Sequence, residues 1–154
     1  MECYKEIPLY EKFCLYFKKK LILSGDDNNG RYDLKMQKLF KDAKTGIDFE
    51  NALYYMYSIL GYKVEKTKTT GDQGADLIII KQGRKSVVQA KYYSNRVGNA
   101  AVQQVVGAIK YYNAEKGIVV TNNEFTNSAY ELARSNNIKL IDGEDLQVLI
   151  NSII

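Results

Sequence analysis

Over residues 48–60, Phe49, Leu53, Met56 and Leu60 recur at intervals of three and four, the spacing that lines one face of a helix. Asp48 suits the N-cap of that helix and Gly61 its stop. Residues 62–66 alternate as a strand. Residues 76–80 form a short apolar run, residues 81–84 (Lys-Gln-Gly-Arg) read as a turn, and residues 85–92 read as the returning strand. Helical spacing also marks residues 9–23, 32–44, 100–113, 125–135 and 143–150, and strand patterns mark 117–121 and 138–141. The Ser-Gly-Asp-Asp-Asn-Asn-Gly stretch at 24–30 has the composition of a linker.

From residue 46 the order is therefore α-β-β-β-α-β-α-β-α. Hairpin connections come first and βα crossovers second, which predicts an α/β fold with a central mixed sheet flanked by helices. Residues 1–45 are expected to form a helical N-terminal extension to a domain spanning 46–154.

The hairpin gives this pattern chemical meaning. Side chains alternate along a strand, so Gln89 and Lys91 share one face while Val88, Ala90 and Tyr92 share the other. A turn near Gly83 returns the chain so that Asp76 stands opposite the 89–91 stretch. An acid, an amide oxygen, the Ala90 carbonyl and a fixed cation then gather at neighbouring strand ends. Hard divalent cations such as Mg²⁺ take oxygen ligands of this kind, and a lysine can orient a water or offset charge on a phosphoryl oxygen. The set suits metal-assisted hydrolysis of a phosphodiester.

The stretch 70–76 (Thr-Gly-Asp-Gln-Gly-Ala-Asp) leads into the first hairpin strand. Phosphate-binding loops run from strand into helix, whereas a strand follows here, so the glycines are expected to aim Asp76 and Asp72. Glu50, near the start of the 48–60 helix, is a further acidic candidate, with favourable interaction with the helix dipole as its simplest role.

Composition narrows the options. The 154-residue chain contains no histidine, which excludes Ser-His-Asp and Cys-His hydrolases and imidazole-based zinc enzymes. No G-x-x-x-x-G-K-[ST] loop is present, which excludes a P-loop NTPase. The net charge of +4 permits a polyanionic partner without requiring one. The Lys18-Lys19-Lys20 run suits DNA or a solvated helix face equally. Cys3 and Cys14 show no pairing or metal-ligand spacing, which points to a reducing cytoplasm. Neither a leader's apolar core nor a membrane-length apolar run is visible.

At this point the chain resembles the Mrr-type catalytic domain of the PD-(D/E)xK nuclease superfamily, with its restriction-endonuclease-like fold. The resemblance runs over residues 46–149, about two-thirds of the chain. It is carried by Phe49-Glu50, by residues 61–64 (Gly-Tyr-Lys-Val), by 70–77 and by 88–92 (Val-Gln-Ala-Lys-Tyr). The tail adds 119–122 (Val-Val-Thr-Asn), Phe125-Thr126, Ala129, Leu132-Ala133 and 140–143 (Leu-Ile-Asp-Gly).

The resemblance implies that Asp76 is the metal-binding aspartate, that Gln89 fills the (D/E) position, and that Lys91 is the motif lysine. It implies that Glu50 supplements the site and that Gln103 and Gln104 follow on the next helix. A Mg²⁺-dependent endodeoxyribonuclease is the reading it favours, with Mn²⁺ as a substitute and with Asp76, Gln89, the Ala90 carbonyl and Glu50 around the metal. Lys66, Lys68, Arg84, Lys85 and Arg96, at the hairpin turn and flanking loops, are candidate DNA phosphate contacts. The setting implied is restriction and defence, or DNA recombination and repair, in a prokaryote, phage or mobile element. Cleavage of both strands implies a homodimer, and the short N-terminal segment a separate specificity partner. Two alternatives remain open: a DNA-binding module that keeps the fold without turnover, suggested by Gln89, and an enzyme resembling Holliday-junction resolvases.

Overall fold

The structure is a computed structural model that describes residues 29–67 and 73–153. The helical pattern at 9–23, Cys3, Cys14, the lysine run, Lys68 and Asp72 lie outside these residues. The elements are α1 (Asn29–Asp42), α2 (Gly46–Ile59), β1 (Lys63–Lys66), β2 (Leu77–Lys81), β3 (Arg84–Lys91), α3 (Asn99–Tyr111), β4 (Lys116–Thr121), α4 (Asn127–Ser135), β5 (Lys139–Ile141) and α5 (Gly143–Ile153). The order expected from residue 46 onward is the order observed.

The strands form one sheet in the order β1-β2-β3-β4-β5. β1, β2 and β3 pair antiparallel, and β3, β4 and β5 pair parallel. The sheet is thus mixed, and β3 is the strand at which its sense changes. The β2–β3 hairpin closes with Lys81 opposite Arg84. Its two central residues, Gln82 and Gly83, have φ of 52° and 74°, and two-residue turns of positive φ match the right-handed twist of the strands they join.

Alternation along the strands separates two cores. Leu77, Ile79, Val88, Val120 and Ile141 meet the helices on one face, where Met36 of α1, Phe49, Leu53 and Met56 of α2, and Leu146 and Ile150 of α5 are buried. Val87 and Val119 meet the other face, covered by Ala101, Val102 and Val105 of α3 and Ala129 and Ala133 of α4. The stripe read over 48–60 is the buried face of α2, with Leu60 just past its end. Burial on both faces explains why β3 and β4 are apolar at consecutive positions instead of alternating with polar ones.

One helix start differs from expectation. Thr45, not Asp48, is the N-cap of α2. The Thr45 hydroxyl accepts from the Asp48 N–H at 3.1 Å while the Asp48 carboxylate accepts from the Thr45 N–H at 3.0 Å, a capping box. Asp48 is therefore the third helical residue, and Glu50 falls in the second turn, beyond the strongest influence of the helix terminus.

Candidate active site

β1, β3, β4 and β5 end where β2 begins. This one end of the sheet therefore collects Lys66, Asp76, Gln89, Lys91, Thr121 and Asp142.

Asp76 is held from three directions. Its N–H donates to the Val88 carbonyl at 2.8 Å. Its carbonyl accepts from the Thr67 N–H at 3.0 Å, and the Thr67 hydroxyl donates to the Ala75 carbonyl at 2.6 Å. The carboxylate Oδ2 accepts two further bonds, from Gln89 Nε2 at 2.8 Å and from the Ala90 N–H at 2.7 Å. Asp76 and Gln89 are thus brought together as the hairpin alternation requires. Residues two apart on a strand face the same edge, so Ala90 presents its backbone toward β2 as Val88 does, just past the strand's start.

Gln89 is one of two polar residues buried among the described residues, at 5 % exposure. Its amide nitrogen serves Asp76, but its Oε1 is buried with no hydrogen-bond partner. Buried acceptors are satisfied in the great majority of cases, and leaving one unmet is costly. Thr121, the other buried polar residue, lies opposite Lys91 in the β3–β4 ladder. Lys91 is half-buried, with its Nζ 5.7 Å from the centroid of the exposed Tyr93 ring.

The approach to Asp76 is set by the glycine expected to aim it. Gly74 has φ of 84° and lies against the α3 backbone at Gln104. That contact brings α3 beside the site through its main chain. The side chains of Gln103 and Gln104 are exposed.

The basic residues separate into groups. Lys66, at the end of β1, pairs with Glu50 of α2 at 3.9 Å and donates to Asn51 Oδ1. Arg96 pairs with Glu124 at 3.0 Å beside the ends of β3 and β4. Arg84 and Lys85 stand at the start of β3, and the Lys85 ammonium donates to the Tyr112 carbonyl at 3.2 Å. At the usual strand rise, Arg84 lies roughly 23 Å from Lys91. The structure therefore gathers Lys66 and Arg96 at the end of the sheet that holds the site and leaves Arg84 and Lys85 at the opposite end.

Sequence reasoning missed the clamp beyond the motif strand. Asn122 accepts from the Tyr93 N–H at 2.8 Å and donates to the Tyr93 carbonyl at 3.1 Å, and Asn123 donates to the same carbonyl at 3.2 Å. Two asparagine side chains thereby extend the β3–β4 pairing past Lys91. The Asn-Asn dipeptide after a strand was its one visible signal. The loops then form a polar cleft of about 510 Å³, lined by Arg96, Asn122, Glu124, Tyr130 and Asp142. Burial, with the nearby Asp142 carboxylate, raises the Tyr130 phenol above its ordinary pKa. An apolar cavity of about 320 Å³ among Tyr57, Leu60, Tyr62 and Leu149 includes none of the residues expected at the site.

Among the described residues, no group of three or more His, Cys, Asp or Glu side chains is placed to hold a metal ion. A site here must combine carboxylate with amide and carbonyl oxygens. Asp76, the unsatisfied Gln89 Oε1 and the Ala90 carbonyl are donors of that kind, and they fit a hard divalent cation.

Comparison with known proteins identifies the family and the fold. Residues 42–150 match the Mrr_cat family model, described as restriction endonuclease. Over 87 residues, 54 % of this chain and 29 % of the relative, the sequence is 37 % identical to the type IV methyl-directed restriction enzyme EcoKMrr of Escherichia coli (strain K12). The chain thus spans under a third of that relative's length. The DNA modification-dependent restriction endonuclease AspBHI shares the fold at a TM-score of 0.57 and 22 % identity, covering 84 % of this chain and 36 % of that one. MspJI restriction endonuclease, solved with a 27-mer oligonucleotide, gives 0.52 and 18 %, covering 84 % and 32 %. A protein of unknown function, AF1548, gives 0.58 and 15 %, covering 67 % and 64 %. The fold is restriction-endonuclease-like.

Proposed function

Because the chain belongs to the restriction endonuclease family of the Mrr catalytic type, we propose that it is a metal-dependent endodeoxyribonuclease acting in restriction or defence, with the end of the β2–β3 hairpin as its active site. The observation that carries this reading is the Gln89 amide. It is buried, it is bonded to Asp76, and its oxygen has no protein donor. In a site of this composition the Gln supplies a neutral ligand where a second carboxylate would add charge.

Asp76, Gln89, the Ala90 carbonyl and Glu50 would hold the ion, with Mg²⁺ as the physiological cation and Mn²⁺ as a substitute. When bound, the metal polarises the scissile phosphate and lowers the pKa of a water. Lys91 orients the attacking water and offsets negative charge at the phosphoryl oxygens. The Ala90 N–H bond to Asp76 holds the carboxylate fixed, so it does not reorganise during the reaction. Arg96 flanks this end of the sheet and suits a contact to a phosphate, which makes binding fall with salt. Hydrolysis of both strands calls for two copies of the chain, and a partner protein can supply sequence choice.

A substrate panel tests the assignment. Linear, methylated and four-way DNA are incubated with the chain at fixed salt and Mg²⁺. Wild type cuts at least one of them, while Asp76→Asn and Lys91→Ala lose on the order of a hundredfold or more in rate. Cleavage by Lys91→Ala at the wild-type rate would place the chemistry elsewhere. Binding without cleavage in either Mg²⁺ or Mn²⁺ would favour the non-catalytic DNA-binding module that the Gln at position 89 also suits.

A further inference from the structure

Lys66 is in an unusual position for a phosphate-binding residue. It ends β1 opposite Leu77, the residue that follows Asp76. Three groups of α2 engage its ammonium: the Glu50 carboxylate at 3.9 Å, the Asn51 side-chain oxygen, and the Tyr54 ring with its centroid at 5.8 Å. Glu50, Asn51 and Tyr54 fall within about one turn of α2. The Glu50 side chain is only 24 % exposed, while that of Lys66 is 42 % exposed. The acid is thus the more shielded partner of the pair and the cation the more exposed one. A carboxylate held near a metal site needs a counter-charge when the metal is away, and a lysine on a flexible stem can deliver one and withdraw it.

We propose that Lys66 is the site's built-in counterion, which neutralises Glu50 before a divalent cation arrives and competes with that cation for the carboxylate. The inference rests on the reading of Glu50 and Asp76 as metal ligands. Lys66 then sets the metal affinity without touching the metal. It offsets repulsion between the site's acids while no metal is bound, and it weakens metal uptake in return. A partly exposed ion pair at this distance supports a modest effect, so removing the charge should tighten metal binding by roughly two- to fivefold.

Mn²⁺ titration of the full chain, followed by electron paramagnetic resonance, separates the possibilities. Lys66→Met keeps the stem and removes the charge, and should tighten Mn²⁺ binding by that factor. Lys66→Arg keeps the charge and should stay near wild type, which also controls for damage to the fold. The gain must disappear when Lys66→Met is made in a Glu50→Gln background. Equal gain in both backgrounds would mean that Lys66 acts through general charge and not through Glu50, and the proposal fails. Unchanged or weaker Mn²⁺ binding by a folded Lys66→Met chain also overturns it. If instead Asp76→Asn or Glu50→Gln leaves wild-type Mn²⁺ affinity intact, the metal-site reading itself is at fault.

Discussion

Gly74 and the Gln104 backbone meet so closely that a β-carbon on Gly74 would come within 2.8 Å of the Gln104 carbonyl carbon. The position also needs φ of 84°, which side chains other than glycine rarely adopt. Gly74→Ala is therefore expected to cost more than about 1 kcal/mol and to push the loop off α3. Since Asp76 follows two residues later, cleavage should fall further than stability does. Thermal unfolding and single-turnover rates on the same preparation check both.

The Asp76–Gln89 bond makes a second prediction with a defined pH dependence. Gln89→Glu would set two carboxylates in hydrogen-bond contact, and such pairs hold a proton well above the ordinary carboxylate range. The folded metal-free variant should lose roughly 1–3 kcal/mol at neutral pH, where both groups ionise on unfolding. The sign follows from linkage: a raised folded-state pKa gives stability that is present at low pH and lost as pH rises. Melting curves between pH 5 and pH 8, with and without Mn²⁺, should show the deficit shrinking toward acid and on adding metal.

Asp48 shows the opposite dependence. Hydrogen bonds from the Lys44 backbone and the Thr45 side chain hold its carboxyl below the ordinary range. Its contribution is thus fully present above the ordinary carboxylate pKa and fades as the pH falls through and below it. Thr45→Ala removes the acceptor of the Asp48 N–H and one of the side-chain bonds that favour the ionised carboxylate, so it should weaken the helix start near neutrality, with the difference from wild type narrowing in acid. Urea unfolding at pH 7 and pH 3 measures that narrowing.

Asn122→Ala should release the Tyr93 backbone. Two hydrogen bonds are lost, and a cost of roughly 1–3 kcal/mol is expected if water does not replace them. Lys91 sits two residues before the released segment, so the catalytic rate should drop while DNA affinity changes little. Gel-shift titration beside a cleavage time course distinguishes the two effects.

The parts of this molecule legible in the sequence are those governed by local period. The hairpin could be read because residues 76–80 and 85–92 flank a turn at 81–84, and alternation then put Gln89 near Asp76 without knowledge of the sheet. The stripe of Phe49, Leu53 and Met56 announced the buried face of α2 in the same way. The start of α2 was misread because Thr45 and Asp48 both suit a helix terminus, and only the observed reciprocal bonds rank them. The Lys66–Glu50 pair, the Asn122 clamp and the Gly74–Gln104 contact join residues 16, 29 and 30 positions apart. Such contacts leave no period in the chain, because they depend on where whole elements come to rest.

The turn at Gln82 and Gly83 lies roughly 20 Å along the strand from Gln89. Its length nevertheless decides which side chains meet Asp76. One residue added there would slide β3 past β2 and exchange its two faces. Val88 and Ala90 would then occupy the positions of Gln89 and Lys91, and the amide and the cation would turn to the opposite face of the sheet. The site is read in a frame, and the two residues that set the frame stand at the far end of the sheet from every group they align.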